Sequence, residues 1–252
     1  MKVIQNGNLV PLEESDCNDK GWMSGIGVFE TIRTVNNKPW AMSRHMRRAV
    51  SSAQQNGIRI PPEDLIRSAV EKLCQTEKYQ HGLLRLSFGH NGDWGAVHLP
   101  YEPVMHGAKL LTYDKEIAVQ GQPVKSYPYS HRLEILDAIK ALDADEAIVC
   151  NDKAKVCEGS VTNLLFRIGG KWVTPPISDG VLPGIVRALV IEYCGVSVRS
   201  VDRSEIPMVQ SAFLLSSLRI AQPVASIDGK ELEQSLDFLS EIEAMALRTS
   251  VG

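Results

Sequence analysis

Lys155-Val156-Cys157-Glu158-Gly159-Ser160-Val161-Thr162-Asn163, running into Leu164-Leu165-Phe166, is the stretch on which the reading of this chain turns. An apolar run starts once the Gly-Ser turn is passed, so Glu158 stands between an apolar cysteine and a turn. Two readings of such a carboxylate are open. It is an exposed strand end, or it is buried and needs a partner, without which its pKa rises. A protonated pyridinium nitrogen is one such partner.

Outward from this stretch the chain divides into short elements. Val3-Ile4-Gln5 and Asn8-Leu9-Val10 flank Asn6-Gly7, a type I′ hairpin signal. Gly27 to Val35 reads as a strand running into Asn36-Asn37, and Lys38 to Ala41 returns. A helix capped by Ser43 carries Met46, Ala49, Val50 and Ala53 at helical spacing and ends at Gly57. A second starts at Pro61-Pro62, with Leu65, Ala69, Val70 and Leu73 on one face. Gly82 to Gly89 and Ala108 to Tyr113 read as strands. Past a polar stretch, Val124 to Tyr127 is extended and leads into a helix near His131 to Leu142. Glu146 to Cys150 is a strand, and Val156 to Val173 reads as two strands broken by Gly169-Gly170. Pro183-Gly184 starts a helix that ends at Gly195. Val196 to Val201, Ala212 to Ser216 and Ala225 to Ile227 are strand-like, and Ser235 to Arg248 is the last helix. Strands and helices mix without regular βαβ alternation, which predicts an α+β fold. We place a small N-terminal α/β domain over 1–113, a linker over 114–123 and a larger C-terminal α/β domain over 124–252.

Composition narrows the function classes. The chain has 252 residues, 44% of them hydrophobic, enough for a large core in one domain or two small ones. A formal net charge of −3 gives no general pull toward nucleic acid or anionic membrane. The five cysteines are odd in number and no pair has CxxC spacing, so neither a disulfide framework nor a metal site is expected. No apolar run reaches the roughly 18 residues of a membrane span, and the N-terminus lacks a signal-peptide core. The expectation is a soluble cytoplasmic protein.

Several residues can carry chemistry. Leu182 to Arg187 enters a helix, whose first N–H groups and dipole suit a phosphate; an ordinary loop-to-helix entry is the plainer reading. Ser216-Ser217 closes an apolar strand, where hydroxyls bind a phosphate or cap the backbone. Arg44, Arg47 and Arg48 cluster on the first helix, ordinarily a solvated face. Of the nearby lysines, Lys140, Lys153 and Lys155 read as solvated. Lys125 stands between an extended segment and a helix, where an amine can be desolvated and made nucleophilic.

Taken together, these pieces resemble the class IV, or fold-type IV, pyridoxal-5′-phosphate (PLP) enzymes. That family includes branched-chain and D-amino-acid aminotransferases and 4-amino-4-deoxychorismate lyases. The similarity runs in the family's order, from Gly25-Ile26-Gly27-Val28-Phe29-Glu30-Thr31 and His45-Met46-Arg47-Arg48 through Ala144-Asp145-Glu146-Ala147 to Pro223-Val224. The resemblance implies two α/β domains with PLP in the cleft between them, and a homodimer. It implies that Lys125 forms the Schiff base and acts as the catalytic base, with Tyr129 beside the cofactor O3′. It places Glu158, with Asn163 in the same motif, on the pyridine nitrogen. It gives the phosphate to Arg48, Ser217 and the N–H groups of Ile185 and Val186. Phe29, Arg85 and Arg219 are the expected substrate contacts. Ser24, Ile26 and Gly89-His90 depart from common family residues in the region that reads substrate. Ser216-Ser217-Leu218-Arg219 looks more like the lyases than the branched-chain enzymes. The reaction expected is therefore that of 4-amino-4-deoxychorismate lyase, giving 4-aminobenzoate and pyruvate for folate synthesis. The alternatives are a D- or branched-chain amino acid aminotransferase, or a non-catalytic PLP-binding protein. The partner expected is a small amino substrate.

Overall fold

The computed structural model describes residues 1–118, 121 and 123–250. In chain order the elements are β1 (Lys2–Gln5), β2 (Asn8–Pro11), β3 (Gly27–Val35), β4 (Lys38–Pro39), α1 (Met42–Gln55), α2 (Glu63–Thr76), β5 (His81–Gly89) and β6 (Trp94–Pro100). They continue as β7 (Ala108–Thr112), β8 (Ser126–Tyr127), α3 (Ser130–Lys140), β9 (Glu146–Ile148), β10 (Asn163–Ile168), β11 (Lys171–Thr174) and α4 (Ile185–Tyr193). The chain closes with β12 (Ser197–Val198), β13 (Ser211–Ser216), β14 (Ile220–Ile227), β15 (Lys230–Glu231) and α5 (Leu236–Arg248). This is an α+β fold, as the mixed pattern of elements predicts.

The chain forms two compact units, Met1–Pro103 with Val124–Pro128 and Ser250, and Val104–Pro123 with Tyr129–Thr249. The division differs from a boundary over 114–123. Strand β7 pairs in parallel with β14 and β9, which draws 108–112 into the second unit. Strand β8 pairs with β3, which returns Ser126 and Tyr127 to the first. Positions 119, 120 and 122 of the expected linker lie outside the described residues.

The first unit is a sheet ordered β2-β1-β6-β5-β3-β4, with β8 also on β3. Asn6 and Gly7 both take positive φ, as the type I′ turn between β1 and β2 requires. In β3 and β5 alternate side chains point to one face, so Val28 and Ile32 join Leu84, Leu86 and Phe88 in a core with Met46, Ala49, Ile66 and Leu73 of α1 and α2. Each of these side chains larger than alanine, fully buried, contributes roughly 1.5–3 kcal/mol. Ser43 does not cap α1. The cap position is Ala41, in the left-handed region, and the Ser43 hydroxyl instead accepts from Arg67 at 2.8 Å. Val50 and Leu65 are exposed, and His45 and Ile66 take the buried positions. Strand β6, not expected from the pattern, pairs with β5 on one side and β1 on the other.

The second unit is a sheet ordered β12-β11-β10-β13-β14-β7-β9, with β15 on β14. Leu164 and Phe166 of β10, Leu214 of β13 and Val224 of β14 share its core with Leu110 and Ile148. Helix α4 packs on β13 and α5 on β14. From Val156 to Thr162 the chain is not the expected strand; it makes isolated bridges at Lys155 and Val156 and then turns. Only Ser197 and Val198 of the stretch 196–201 pair as a strand, whereas β14 begins five residues before Ala225, at Ile220.

A close approach fixes the segment carrying Lys125. A Cβ on Gly27 would lie 2.2 Å from the Phe88 carbonyl oxygen and 2.4 Å from the Tyr127 hydroxyl. Gly27→Ala should therefore destabilise the protein by roughly 1–3 kcal/mol, the usual cost of overpacking. Urea unfolding of the variant against the parent measures it. An unchanged midpoint would show that β8 does not depend on this contact.

Candidate active site

Lys125 is fixed by its own backbone. Tyr127 and Ser126 pair with Gly27 and Val28, and the Phe29 N–H donates to the Lys125 carbonyl at 3.0 Å. The Lys125 Nζ then lies 4.4 Å from the centre of the buried Phe29 ring. Phe29 meets Trp22 edge to face at 4.8 Å, and Trp22 carries the Arg85 guanidinium at 4.0 Å. A row of cation, two rings and cation results, each cation–ring contact contributing roughly 0.5–2 kcal/mol. Arg85 also donates to the Lys20 carbonyl. Burial draws its pKa down to about 10, which leaves it charged near neutrality.

Strand alternation sends Glu30 to the face opposite Phe29. Glu30 is fully buried, and Arg48 grips both its oxygens, with Nε at 2.7 Å. His45 Nδ1 lies 2.7 Å from Oε2. Burial alone would raise the Glu30 pKa, but the Arg48 charge, its hydrogen bonds and His45 together bring it down to about 2. Burial also pushes His45 below its ordinary value, against the pull of Glu30. A neutral imidazole beside an ionised carboxylate carries its proton on Nδ1 and donates it to Glu30. Arg48 is thus no member of a solvated face; it is locked to Glu30 at 10% side-chain exposure.

In the second unit Glu158 is 5% exposed. Arg132 of α3 donates to its Oε1 at 2.8 Å. Asn163 Nδ2 and the Leu182 N–H both donate to Oε2 at 3.0 Å. Asn163 Nδ2 also reaches the Leu182 carbonyl at 3.0 Å, which ties this carboxylate to the segment entering α4. Gly184, the cap residue of that helix, brings no side-chain cap, and a Cβ on it would sit 1.8 Å from Asn163 Oδ1. The opening N–H groups of α4, at Ile185 and Val186, belong to the turn that lacks intrahelical acceptors. Asn163 pairs with Leu215, so the turn after Ser216, with Ser217 and Arg219, lies at the same end of the sheet. Arg219 donates to the Gln222 amide oxygen at 2.9 Å. Tyr129 occupies the cap position of α3.

A second carboxylate shapes this loop. Glu146 is fully buried and accepts from the Ser160 N–H at 2.8 Å, the Thr162 hydroxyl at 3.0 Å and the Ala147 N–H at 2.9 Å. The Ser160 hydroxyl and Val161 N–H also point to it. The Ser160 and Val161 N–H groups, which a ladder would have used, turn to Glu146 instead, and the chain bends there.

The structure therefore gathers Lys125, Phe29 and Arg85 in one unit, and Glu158, Asn163 and the α4 start in the other. Ser217 and Arg219 share the neighbouring hairpin, and Arg48 stands with Glu30 and His45. Sequence reasoning missed Arg132 and the role of Glu146. Arg132 sits 26 positions from Glu158, and nothing in its local pattern marks the contact. Glu146 was visible as part of a strand and of the stretch Ala144-Asp145-Glu146-Ala147, neither of which marks its contacts.

The family model described as amino-transferase class IV matches residues 27–227. The chain is 26% identical to the D-alanine aminotransferase of Bacillus licheniformis, over 92% of this chain and 90% of that one. It is 24% identical to the aminodeoxychorismate lyase of Bacillus subtilis, over 69% and 66%. Among solved structures, the branched-chain aminotransferase of Thermoproteus uzoniensis superposes with a TM-score of 0.85 at 25% identity, covering 97% of this chain and 93% of that one.

Two stability predictions arise from the buried carboxylates. Glu146→Gln turns an amide N–H₂ toward donors and should cost about 2–4 kcal/mol in urea unfolding; a loss below about 0.5 kcal/mol would remove Glu146 as the anchor of the loop. The second concerns acid. Glu30 has a depressed folded pKa, so its contribution is present above about 4.5 and is lost as the pH falls toward about 2. His45 is neutral when folded, and its protonation in the unfolded chain removes stability as the pH falls below 6.5. Unfolding free energy should thus decline below about pH 6.5 and steepen below about 4.5, with Glu30 accounting for on the order of 3 kcal/mol. Glu30→Gln should flatten the lower part of that curve; an unchanged slope would contradict the assignment.

Proposed function

Because the chain belongs to the class IV aminotransferases, a family of PLP-dependent enzymes, we propose that Lys125 carries the cofactor and Glu158 partners its ring nitrogen. The observation that carries this reading is the Glu158 network. A buried carboxylate is held by Arg132, Asn163 and the Leu182 N–H, directly beside a helix start without a side-chain cap. Such groups fit the cofactor: a carboxylate to accept from a ring N–H, and the N–H groups of Ile185 and Val186 with the Ser217 hydroxyl to donate to a phosphate. Arg48 is the further phosphate partner proposed, its guanidinium oriented by Glu30. Tyr129 is proposed beside the cofactor oxygen. Bound PLP supplies an electron sink that makes the substrate Cα–H acidic. Lys125 would hold the cofactor, and its Nζ would take the proton from the substrate Cα. The Phe29 ring beneath that nitrogen orients it and excludes water.

The substrate reading rests on two arginines. Arg85 pairs with a ring and a carbonyl, and Arg219 with a neutral amide. Neither has a carboxylate among the ion pairs of the described residues, so each suits an anionic substrate group. A substrate with an amine and two carboxylates carries a group of the kind each arginine suits. We assign 4-amino-4-deoxychorismate, which loses pyruvate to leave 4-aminobenzoate. The second reading is a D- or branched-chain amino acid aminotransferase. It is favoured by the match to a D-alanine aminotransferase over 92% of the chain.

Borohydride reduction of PLP-loaded protein followed by peptide mapping should place the label on Lys125. Lys125→Ala should lower turnover by roughly 10²–10⁴-fold, the range of a lost proton-transfer group. Label on another lysine would end the assignment. Pyruvate release from aminodeoxychorismate, beside spectral change with a panel of amino acids, separates the two reactions. Conversion to the pyridoxamine form by an ordinary amino acid, without pyruvate release, would replace the lyase by the aminotransferase. Arg219→Ala should raise the KM for the lyase substrate roughly 10–100-fold, as expected for one charge-assisted bond. Unchanged kinetics would remove Arg219 from the site.

A further inference from the structure

We propose that Arg132 is a positioning residue for Glu158, holding the proton of the carboxylate–nitrogen pair on the cofactor ring nitrogen. The proposal rests on the PLP reading above. Its guanidinium spans two acceptors: one nitrogen meets Glu158 Oε1 at 2.8 Å, the other the Gly159 carbonyl at 3.4 Å. Both Arg132 and Glu158 side chains are largely shielded, at 17% and 7% exposure.

The two oxygens of Glu158 are held by different chemistry. Oε2 accepts from the neutral Asn163 amide and the Leu182 N–H, while Oε1 meets a fixed positive charge. Charged and titratable groups near the carboxylate include residues of three segments. Arg132 comes from α3. Arg187, on α4, interacts electrostatically with Glu158 while its own guanidinium donates to the Pro175 carbonyl at 2.7 Å. The neighbouring Cys157 thiol bonds the Asp179 carbonyl, and burial keeps it protonated. Arg132 is thus in direct ion pairing with Glu158.

A ring nitrogen and a buried carboxylate compete for one proton. Burial alone makes a carboxylate more basic and favours its taking that proton, and the Asn163 and Leu182 donors oppose this only in part. A guanidinium on the carboxylate adds a full charge to that opposition: it stabilises the anion, and the proton stays on nitrogen. Arginine suits the task because it does not titrate near neutrality and its planar fork reaches the carboxylate and the next carbonyl together. A residue that merely tied α3 to the loop would satisfy the Gly159 carbonyl without moving a proton.

The test loads the protein with PLP labelled with 15N at the ring nitrogen and follows that resonance from about pH 6 to 9. In the parent the nitrogen should stay protonated over the range. Arg132→Gln, which can still bond the Gly159 carbonyl, should lower the nitrogen's proton affinity about tenfold or more, and Arg132→Lys should fall between the two. A resonance and titration unchanged in Arg132→Gln would overturn the proposal, whatever happens to turnover or stability. Should that variant fail to fold, Arg132→Lys decides, since an unshifted titration there also overturns it. A parent nitrogen that is already unprotonated at neutral pH does the same. Parent protein that takes up no PLP removes the functional reading and this inference together, and does so before any variant is compared.

Discussion

The fully buried carboxylate of Glu146 is the constraint from which the second unit's site is built. Among the described residues its partners are the N–H and hydroxyl groups of Ala147 and 160–162, with no cation among them. A buried anion is tolerable on those terms because several donors replace the water it has lost. The consequence is local and rigid. The turn over 159–162 wraps one carboxylate, and the residues on either side of it, Glu158 and Asn163, are left facing each other at 3.0 Å. Without that anchor the same stretch has β-forming residues enough to continue as a strand, and strand alternation would set both side chains by the pleat.

Three buried glutamates thus show three ways of holding a negative charge. Glu30 is met by Arg48 and His45, and its pKa falls to about 2. Glu146 relies on neutral donors. Glu158 combines the two, a guanidinium on one oxygen and an amide and a backbone N–H on the other. The first two draw their partners from few segments: Glu30 from α1, and Glu146 from 160–162 and its neighbour Ala147. The third draws on α3, β10 and the segment before α4, so its geometry reports on how all of these are assembled.

How much of this was legible in the sequence follows from the range of each interaction. The alternation of β3 and β5, the Asn6-Gly7 turn and the periodic faces of α1 and α2 are local signals, and they located those elements. Strand β6 was not legible, because Trp94-Gly95-Ala96-Val97-His98 has no clean alternation; its two neighbours, not its own pattern, make it a strand. Ser43 looked like a cap because the signal for a cap is a short polar residue, yet its hydroxyl serves Arg67 from α2. Arg48 read by periodicity alone belonged to a solvated face. Only its likeness to a family position suggested otherwise, and the buried Glu30 beneath it explains why. Arg132 had neither a local pattern nor a motif, since its partner is supplied by the tertiary fold.

The pairing of β8 with β3 has a bearing on synthesis. The edge of β3 at Gly27 and Val28 has its β8 partner only in Ser126 and Tyr127, about a hundred residues later. While the ribosome makes the residues between, α1, α2, β5 and β6 can fold onto the sheet, but that stretch of edge stands open. An open edge is a template for any extended chain that reaches it. The nascent protein is thus exposed to mispairing at the place where the lysine segment must later lie, and the order of emergence from the ribosome, not the strength of the finished contact, sets how long that exposure lasts.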